Sequence, residues 1–310
     1  MYKRLNICLI GNGVQSKRIQ SILKKKKVKF SIFCPLKKKL SEKNKKFLKS
    51  FNVHFILSPN NTHFKYLEFL YKNSYIFCEK PPVNKIVELE KLKKIKSKKI
   101  FYNFNFRFSK LAEILKKRDR FNFGRLNYIN IISGHALALK KDYKLNWRSQ
   151  KKHCSKGIFE MVTIHWIDLI NYFFQIKKSY KPNFLNLSKN GTSYDNCSIR
   201  IKLKNNSYAD IFNSYTTPLI KKKLFVFQNG IIEQDNKFLR VSGPALNLNK
   251  NNYVKEPKNI LKFKVDEKKD KLYSLRKSID YFFSIIMKNS KFPQRETNIS
   301  TKTTEYLLDY

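Results

Sequence analysis

Short apolar runs alternate with amphipathic segments over the first third of the chain. Strands that are apolar throughout are typical of parallel sheets covered on both faces, and the segments between them have helical spacing. The pattern predicts an α/β fold with a doubly wound parallel Rossmann sheet over residues 1–105. The predicted strands are Leu5–Ile10, Val28–Phe33, Val53–Leu57, Tyr75–Cys78 and Ile100–Phe104, and the predicted helices are Val14–Lys24, Leu40–Phe51, Thr62–Lys72 and Val83–Lys96.

The pattern changes beyond Arg107, where longer segments alternate between apolar and polar residues. This alternation is typical of an open antiparallel sheet, and Asn229-Gly230 is a pair that type I′ hairpin turns favour. We therefore predict a second, α+β domain over residues 106–310, with a mostly antiparallel sheet. Its predicted strands are Arg125–Ser133, Cys197–Lys204, Ser207–Tyr215, Leu224–Gln228 and Gly230–Gln234, and its predicted helices are Leu111–Arg118, Ile158–Phe174 and Leu272–Met287.

A length of 310 residues suits two domains, and no apolar run is long enough to span a membrane. The first apolar run leads into Gly11-Asn12-Gly13 and not into a small-residue cleavage site, so we read it as a strand and expect a cytoplasmic protein. Five cysteines with no C-x-x-C pair are typical of free thiols, and no cluster has zinc spacing. We expect neither a metal nor a membrane partner.

The net charge of +44 suggests a nucleic-acid or anionic-membrane partner. The lysine runs are, however, spread along the whole chain, and abundant Phe, Tyr, Ile, Lys and Asn with few Gly are what an AT-rich coding genome produces. We therefore interpret the charge as compositional drift on solvated faces and expect no specific nucleic-acid partner. It should still cause salt-sensitive, non-specific binding to polyanions.

A glycine turn follows the first predicted strand and opens the first predicted helix. Gly11 and Gly13 would let the backbone approach a pyrophosphate at the helix N-terminus, beside Val14, while the third small position is Ser16. A tight turn without a ligand is the alternative reading. The acid that would bind an adenosine ribose is missing after the second strand, and Lys37–Lys39 follow instead. We therefore favour NADP(H) over NAD(H), with Lys37 near a 2′-phosphate.

Two further segments leave the carboxyl ends of predicted parallel strands, where open α/β sheets bind ligands. They are Ser58-Pro59-Asn60-Asn61-Thr62-His63 and Glu79-Lys80-Pro81. A lysine in such a turn can reach into the crevice and bond a substrate oxygen or help relay its proton. The predicted cofactor ligands at this edge are Ser58, Pro59, Asn60, His63, Glu79 and Lys80.

This pattern resembles the glucose-fructose oxidoreductase / inositol dehydrogenase / MocA family, which has a glycine turn, a T-P-N-x-x-H-like loop and an E-K-P tripeptide. The resemblance spans most of the chain. It continues through Asn105–Phe108, Phe123–Leu126 and Lys156–Leu169.

The resemblance implies that Lys80 lies by the nicotinamide and the substrate. It also implies a D-x-x-x-H pair on a helix of the second domain, in which His165 matches the histidine and Met161 replaces the aspartate. Glu160, five residues before His165, would point to another face of an α-helix. We predict Lys80 and His165 as catalytic residues, although His165 could be a core histidine.

Polar and aromatic residues around His165 suit a carbohydrate pocket, with an aromatic ring under a sugar face and cations for hydroxyls or a carboxylate. Asp168 is close enough along the helix to orient the His165 ring, and we favour a structural role for it over a catalytic one. An ordered surface loop is the alternative for the segment before this helix. The predicted substrate ligands are Arg107, His135, Tyr143, Trp147, Arg148 and Asp168.

Together these features predict hydride transfer between a nicotinamide and a hydroxyl or carbonyl carbon of a sugar, sugar nucleotide or cyclitol. We also expect a homo-oligomer formed through the C-terminal sheet. Because Met161 replaces the usual aspartate, a non-catalytic dinucleotide- or sugar-binding protein is the alternative. A basic nucleic-acid-binding protein is a third possibility, which rests on charge alone.

Overall fold

The computed structural model describes residues 4–34, 40–95, 97–243, 248–253 and 255–310. The chain divides into two compact units. The first contains the residues up to Asn105 together with Leu275–Asp309, and the second contains Phe106–Ser274 and Tyr310.

The first unit is a five-stranded, fully parallel sheet with the strand order β2-β1-β3-β4-β5. This confirms the Rossmann-type sheet that the apolar runs predict, with element ends shifted by a few residues. The strands are β1 (Ile7–Ile10), β2 (Ser31–Phe33), β3 (Val53–Ile56), β4 (Tyr75–Glu79) and β5 (Ile100–Asn103), and the helices between them are α1 (Val14–Lys25), α2 (Glu42–Lys49), α3 (His63–Leu70) and α4 (Ile86–Lys94).

Aromatic packing explains why the C-terminal segment belongs with the first unit. The Phe282 ring lies 5.4 Å from that of Phe55 on β3 and 5.5 Å from that of Phe77 on β4. Phe282 is fully buried, so these contacts cover one face of the sheet. The sequence-based boundary, which gave all of 106–310 to the second domain, is therefore corrected for Leu275–Asp309. This segment contains the end of α7 (Glu267–Met287) and α8 (Gln294–Leu308), a helix that the sequence analysis missed.

The second unit contains a mixed sheet with the order β14-β13-β12-β11-β6-β10-β9-β7, and β8 pairs with β9. All described pairs are antiparallel except β6 with β10, which confirms the mostly antiparallel sheet. Four of its strands were not predicted. The strands are β6 (Leu126–Gly134), β7 (Ile176–Ser179), β8 (Asn183–Leu185), β9 (Asn196–Leu203), β10 (Tyr208–Ser214), β11 (Ile220–Phe227), β12 (Ile231–Gln234), β13 (Phe238–Ser242) and β14 (Asn259–Lys264).

One face of this sheet is buried against aromatic residues of its own unit. Phe225 and Phe227 on β11 are buried, and the Phe225 ring lies 6.0 Å from that of Phe174. Phe174 ends α6 (Ile164–Phe174), and the unit also contains α5 (Lys110–Lys116). Side chains alternate between faces along a strand, so Lys221 and Lys223 share the inner face with these phenylalanines, whereas Lys222 is exposed. Among the described residues, no helix is long and apolar enough to cross a membrane.

Candidate functional site

The turn between β1 and α1 contains two glycines with different structural roles. Gly11 has a φ of 108°, and a Cβ atom added there would lie 2.8 Å from the Leu57 carbonyl oxygen. Gly13 is the N-cap of α1 with a φ of −77°, and an added Cβ would meet no atom within 4 Å. The fold therefore requires glycine at position 11 and places no such demand on position 13.

Gly13 differs in this respect from the seven other glycines of the chain. At each of those seven, an added Cβ would come within 2.8 Å of another residue. The open space at Gly13 adjoins the N-terminus of α1, which has no side-chain cap and no acidic residue in its first turn. Backbone N–H groups and the helix dipole favour an anion at such a place. The turn therefore fits a pyrophosphate.

Glu79 connects three elements at the carboxyl edge of the parallel sheet. Its Oε1 atom accepts hydrogen bonds from Gln15 Nε2 on α1 at 2.9 Å and from Asn103 Nδ2 on β5 at 2.8 Å. Burial raises the pKa of Glu79, while these two hydrogen bonds and the charge of Lys80 oppose that shift. Glu79 thus acts on the predicted cofactor site mainly by positioning Gln15, two residues beyond Gly13.

His63 joins the two other segments that the sequence analysis assigned to the cofactor. Its Nδ1 atom lies 2.8 Å from the Pro81 carbonyl oxygen and its Nε2 atom 2.8 Å from the Ser58 carbonyl oxygen. Burial is the main cause that lowers the pKa of His63, and the nearby charge of Lys80 lowers it further. Because the ring is fully buried and faces two carbonyls, we revise its role from cofactor ligand to support of the loop.

Lys80 directly follows β4 and is 9% exposed. Its charge affects the pKa of both Glu79 and His63, so its ammonium group lies near both side chains. The strand that bears it is two places from β1 in the sheet, and both strands end at the same edge. Lys80, the glycine turn and the loop at Ser58, Pro59 and Asn60 therefore occupy one edge of the first unit.

The NADP(H) preference rests on Lys37, Lys38 and Lys39, which lie outside the described residues. At the described end of β2, Phe33 is buried and Cys34 is exposed, and neither is acidic. The preference stays a prediction.

In the second unit, Arg107 and Asp168 form a buried, bidentate ion pair. Arg107 Nε lies 2.7 Å from Asp168 Oδ2, and Nη2 lies 2.6 Å from Oδ1. The two residues are 3% and 0% exposed, and the Arg107 guanidinium lies 4.9 Å from the centre of the Tyr172 ring. This ion pair favours a structural role for both residues, and their binding of substrate and the orientation of His165 by Asp168 stay predictions. Each satisfies the other's charge away from solvent.

A π-helical turn, Phe159–Thr163, precedes α6 and was not predicted. The N–H group of Ile164 donates to the carbonyl of Phe159, five residues earlier. Such a turn wraps one residue more than an α-helical turn, so residues five apart are spaced as residues four apart are in an α-helix. The expectation that Glu160 points away from His165 assumed α-helical geometry, which the chain does not have here.

His165 is partly exposed, and its ring stacks on Phe106 with 4.5 Å between the ring centres and 19° between the planes. The stacking fixes the plane of the imidazole. Glu160, near the start of the π-turn, is only 6% exposed. A carboxylate and an imidazole are thus placed about one helical turn apart, which is the spacing that the family resemblance leads us to expect of an acid–histidine pair.

His135, Tyr143 and Arg148 gather near Tyr215. The ring centres of His135 and Tyr143 lie 5.0 Å and 6.3 Å from that of Tyr215. Burial lowers the pKa of His135, and the charges of Lys271, Lys221, Arg148 and Lys140 lower it further. Tyr143 is 4% exposed, so we revise its role from substrate ligand to support of this cluster.

Arg148 and Trp147 differ in their surroundings. The Arg148 guanidinium lies 5.3 Å from the centre of the Trp147 ring, and Trp147 is 44% exposed. The Arg148 Nε atom is buried and has no hydrogen-bond partner among the described residues. Of the predicted substrate ligands, Arg148 and His135 are therefore the polar groups best placed to bind a small molecule.

Sequence reasoning missed Gln15, Asn103, Lys221 and Lys223. Lys221 and Lys223 had one available signal, because they alternate in register with the apolar residues of β11. In a chain with 66 basic residues that signal was hidden. Among the described residues, no group of three or more His, Cys, Asp or Glu side chains could hold a metal ion.

Comparisons with known proteins agree with this two-part fold. The model of the MurD N-terminal domain matches residues 6–68. No curated protein matches. The structure resembles levoglucosan dehydrogenase in complex with NADH, with a TM-score of 0.76 and 13% identity over 96% of this chain and 94% of that one.

Two further solved structures are similar. One is a putative NADPH-dependent oxidoreductase from Desulfitobacterium hafniense, with a TM-score of 0.75 and 12% identity over 98% of this chain and 93% of that one. The other is an Agrobacterium radiobacter oxidoreductase in complex with NAD⁺, L-tartaric acid and magnesium, with a TM-score of 0.74 and 13% identity over 97% and 94%. The chain thus has the fold of these nicotinamide-dependent oxidoreductases, in agreement with the resemblance drawn from its sequence motifs.

The first prediction separates ligand binding from folding at the glycine turn. Gly13→Val should weaken NADH and NADPH binding at least about tenfold, because a branched side chain would fill the pyrophosphate space, and should change the free energy of unfolding by less than about 1 kcal/mol. Gly11→Val is the control and should destabilise the fold. Nucleotide titration and urea denaturation measure both effects. A Gly13→Val variant with full nucleotide affinity would show that the turn is structural only.

The second prediction concerns the buried ion pair. Asp168→Ala removes the carboxylate that pairs with the buried Arg107 guanidinium, and should lower the free energy of unfolding by about 3–5 kcal/mol. Asp210→Ala is the matched control, because its partner Arg200 is 61% exposed, and should cost about 1 kcal/mol or less. Denaturant titration compares the two. Unchanged stability of Asp168→Ala would restore Asp168 as a candidate substrate ligand.

Proposed function

We propose that the protein is a nicotinamide-dependent oxidoreductase of the glucose-fructose oxidoreductase / inositol dehydrogenase / MocA family. It would transfer a hydride between the cofactor and a hydroxyl or carbonyl carbon of a sugar, sugar nucleotide or cyclitol. The observation that carries the proposal is Gly13, a glycine that the fold does not require, at the N-terminus of α1. The chain has only eight glycines, and the binding of a pyrophosphate would explain why one of them stands at position 13.

The first unit would hold the cofactor at the carboxyl edge of its parallel sheet. The α1 N-terminus would bind the pyrophosphate, and the loop at Ser58, Pro59 and Asn60 would border the nucleotide. Both NADH and NADPH are named for similar structures. We retain NADP(H) as the preferred cofactor, on the missing acid after β2 and the following lysines.

The second unit would bind the substrate. Similar structures contain levoglucosan and L-tartaric acid, both small and rich in oxygen. Arg148 Nε is a buried donor without a described partner, and His135 and Trp147 add a polar and an aromatic surface. These groups favour a hydroxylated, sugar-like ligand.

The cofactor, when bound, would supply the redox chemistry, and the chain would position the substrate and move a proton. Lys80, which is 9% exposed, would bond the reacting oxygen with its ammonium group. His165 would accept or return the proton of that oxygen, since imidazole titrates near neutral pH. Its stacking on Phe106 keeps the ring plane fixed during this exchange.

Glu160 would complete this arrangement. The π-turn places it one turn from His165, in the role that the family resemblance gives to an aspartate. A carboxylate there would orient the imidazole and stabilise its protonated form. Met161, which occupies the aspartate position in a simple count of residues, therefore need not signal lost catalysis.

We further propose a cytoplasmic homo-oligomer formed through the second sheet. The cysteines of the described residues are free thiols, which suits a reducing compartment. Ile260 and Phe263 on the edge strand β14 are 43% and 45% exposed, and such apolar side chains support an interface there. We propose no specific nucleic-acid partner, because the basic residues are distributed over the whole chain.

The third prediction tests catalysis. With a substrate found by screening sugars, sugar acids, sugar nucleotides and cyclitols, Lys80→Ala and His165→Ala should each lower kcat about 10²–10⁴-fold and change nucleotide affinity far less. Absorbance of the reduced nicotinamide measures turnover. Nucleotide binding without turnover on any substrate would favour the non-catalytic binding protein.

The fourth prediction tests the π-turn. Glu160→Gln should lower kcat about tenfold or more and shift the pH profile of kcat, because the carboxylate no longer supports a protonated His165. Met161→Leu is the neighbouring control and should retain activity. If Met161→Leu impairs turnover and Glu160→Gln does not, the pairing of Glu160 with His165 is wrong.

A further inference from the structure

The inner face of β11 carries two lysines where a core would hold apolar side chains. Lys223 is 4% exposed and shares its face with buried Phe225 and Phe227. Lys221 lies on the same face, two residues earlier. Lys222, between them, is exposed on the other face. The backbone register of β11 therefore turns two cations inward.

Compositional drift does not account for a buried lysine. Compositional drift can add lysines to solvated faces with little loss of stability. Burying an ammonium group is unfavourable unless a hydrogen bond or an opposite charge compensates for the lost hydration. Among the described residues, only Lys80 and Lys223 are lysines buried to this extent. Lys80 already has a place at the proposed cofactor site. Lys223 requires a separate explanation.

The described contacts of Lys223 include an aromatic ring but no hydrogen-bond acceptor. Its ammonium nitrogen lies 5.4 Å from the centre of the Trp166 ring, and it makes no hydrogen bond or ion pair with any residue that the structure describes. Across the strands it pairs with Ile131 on β6 and Gln234 on β12. Burial lowers the pKa of Lys223 to about 8, although the charges of Asp270 and Asp235 oppose this.

Other cations lie close to this pair of lysines. Burial lowers the pKa of Lys221 to about 7, and the charges of Lys271 and Lys223 lower it further. The charges of Lys221, Lys271 and Arg148 also act on His135. Two carboxylates oppose these shifts: Asp270, on the same helix as Lys271, acts on both lysines, and Asp235 acts on Lys223. We call this set the cation cluster: His135, Arg148, Lys221, Lys223 and Lys271.

The cation cluster gathers five basic side chains, and two carboxylates, Asp270 and Asp235, act on its lysines. It includes a buried lysine without a described hydrogen-bond partner and an arginine whose buried Nε lacks one. We propose that the cluster binds an anionic substituent, a carboxylate or a phosphate, on a sugar-derived substrate. This deepens the proposed function and rests on it, because the anion would belong to the molecule that is oxidised or reduced. Neutral sugars would lack the contact.

The two tryptophans of the chain, Trp147 and Trp166, each lie beside a member of the cluster, so intrinsic fluorescence can report binding. D-glucuronate, D-glucose 6-phosphate and D-glucose are titrated at fixed salt, with and without NADH. The variants are Lys223→Met, Lys223→Arg and, as the control on the other face of the strand, Lys222→Met. Melting temperatures verify folding, and Lys221→Met replaces Lys223→Met if the latter does not fold.

We expect the wild type to bind at least one anionic probe at least about tenfold more tightly than glucose. Lys223→Met should weaken that probe about 10- to 100-fold, the range of a lost charge-assisted hydrogen bond. Its glucose and NADH affinities should stay unchanged, Lys223→Arg should retain much of the preference, and Lys222→Met should retain all of it. The probe that responds distinguishes carboxylate from phosphate.

Equal affinity of the wild type for all three sugars would overturn the proposal. So would equal losses in Lys222→Met and Lys223→Met, which would show non-specific attraction to a basic surface. The NADH titration is read separately. Absent NADH binding with a Lys223-dependent preference for anions would refute the oxidoreductase and leave the anion site standing.

Discussion

A partly buried carboxylate organises the edge of the first sheet. Glu79 can stay there because Gln15 and Asn103 donate to it and Lys80 supplies a positive charge. These partners come from α1, from β5 and from the turn after β4. One partly buried group therefore connects a helix start, two strand ends and the lysine that we assign to the reaction.

The sequence was sufficient for the parallel sheet because four of its five strands, β1, β3, β4 and β5, are largely buried and mostly apolar. The same logic located Gly11, Gly13 and Lys80 at strand ends, where their elements meet in space. It failed for Leu275–Asp309, since periodicity shows that a helix has an apolar face and does not show which sheet covers that face. The contact of Phe282 with Phe55 and Phe77 is set by tertiary packing, which the periodicity of a single helix does not reveal.

The candidate substrate site was harder to predict, for two physical reasons. A π-turn changes which residues share a helical face. The α-helical spacing of four residues leads from His165 to Met161, whereas the buried acidic residue is Glu160, five residues before His165. The many solvated lysines concealed Lys223, whose meaning depends on burial and not on residue type. Arg107 and Asp168 were recognised as important, but only their mutual distance shows that they satisfy each other.

The contrast between Gly11 and Gly13 has an evolutionary consequence. Selection for folding alone preserves the first glycine, because a side chain there would collide with the backbone at Leu57. On the proposed function, selection for a bound pyrophosphate preserves the second. In a lineage whose genome steadily replaces glycine codons, a copy released from its metabolic role would lose the second glycine early and keep the first. The state of that single codon in related genomes would therefore distinguish working copies from decaying ones.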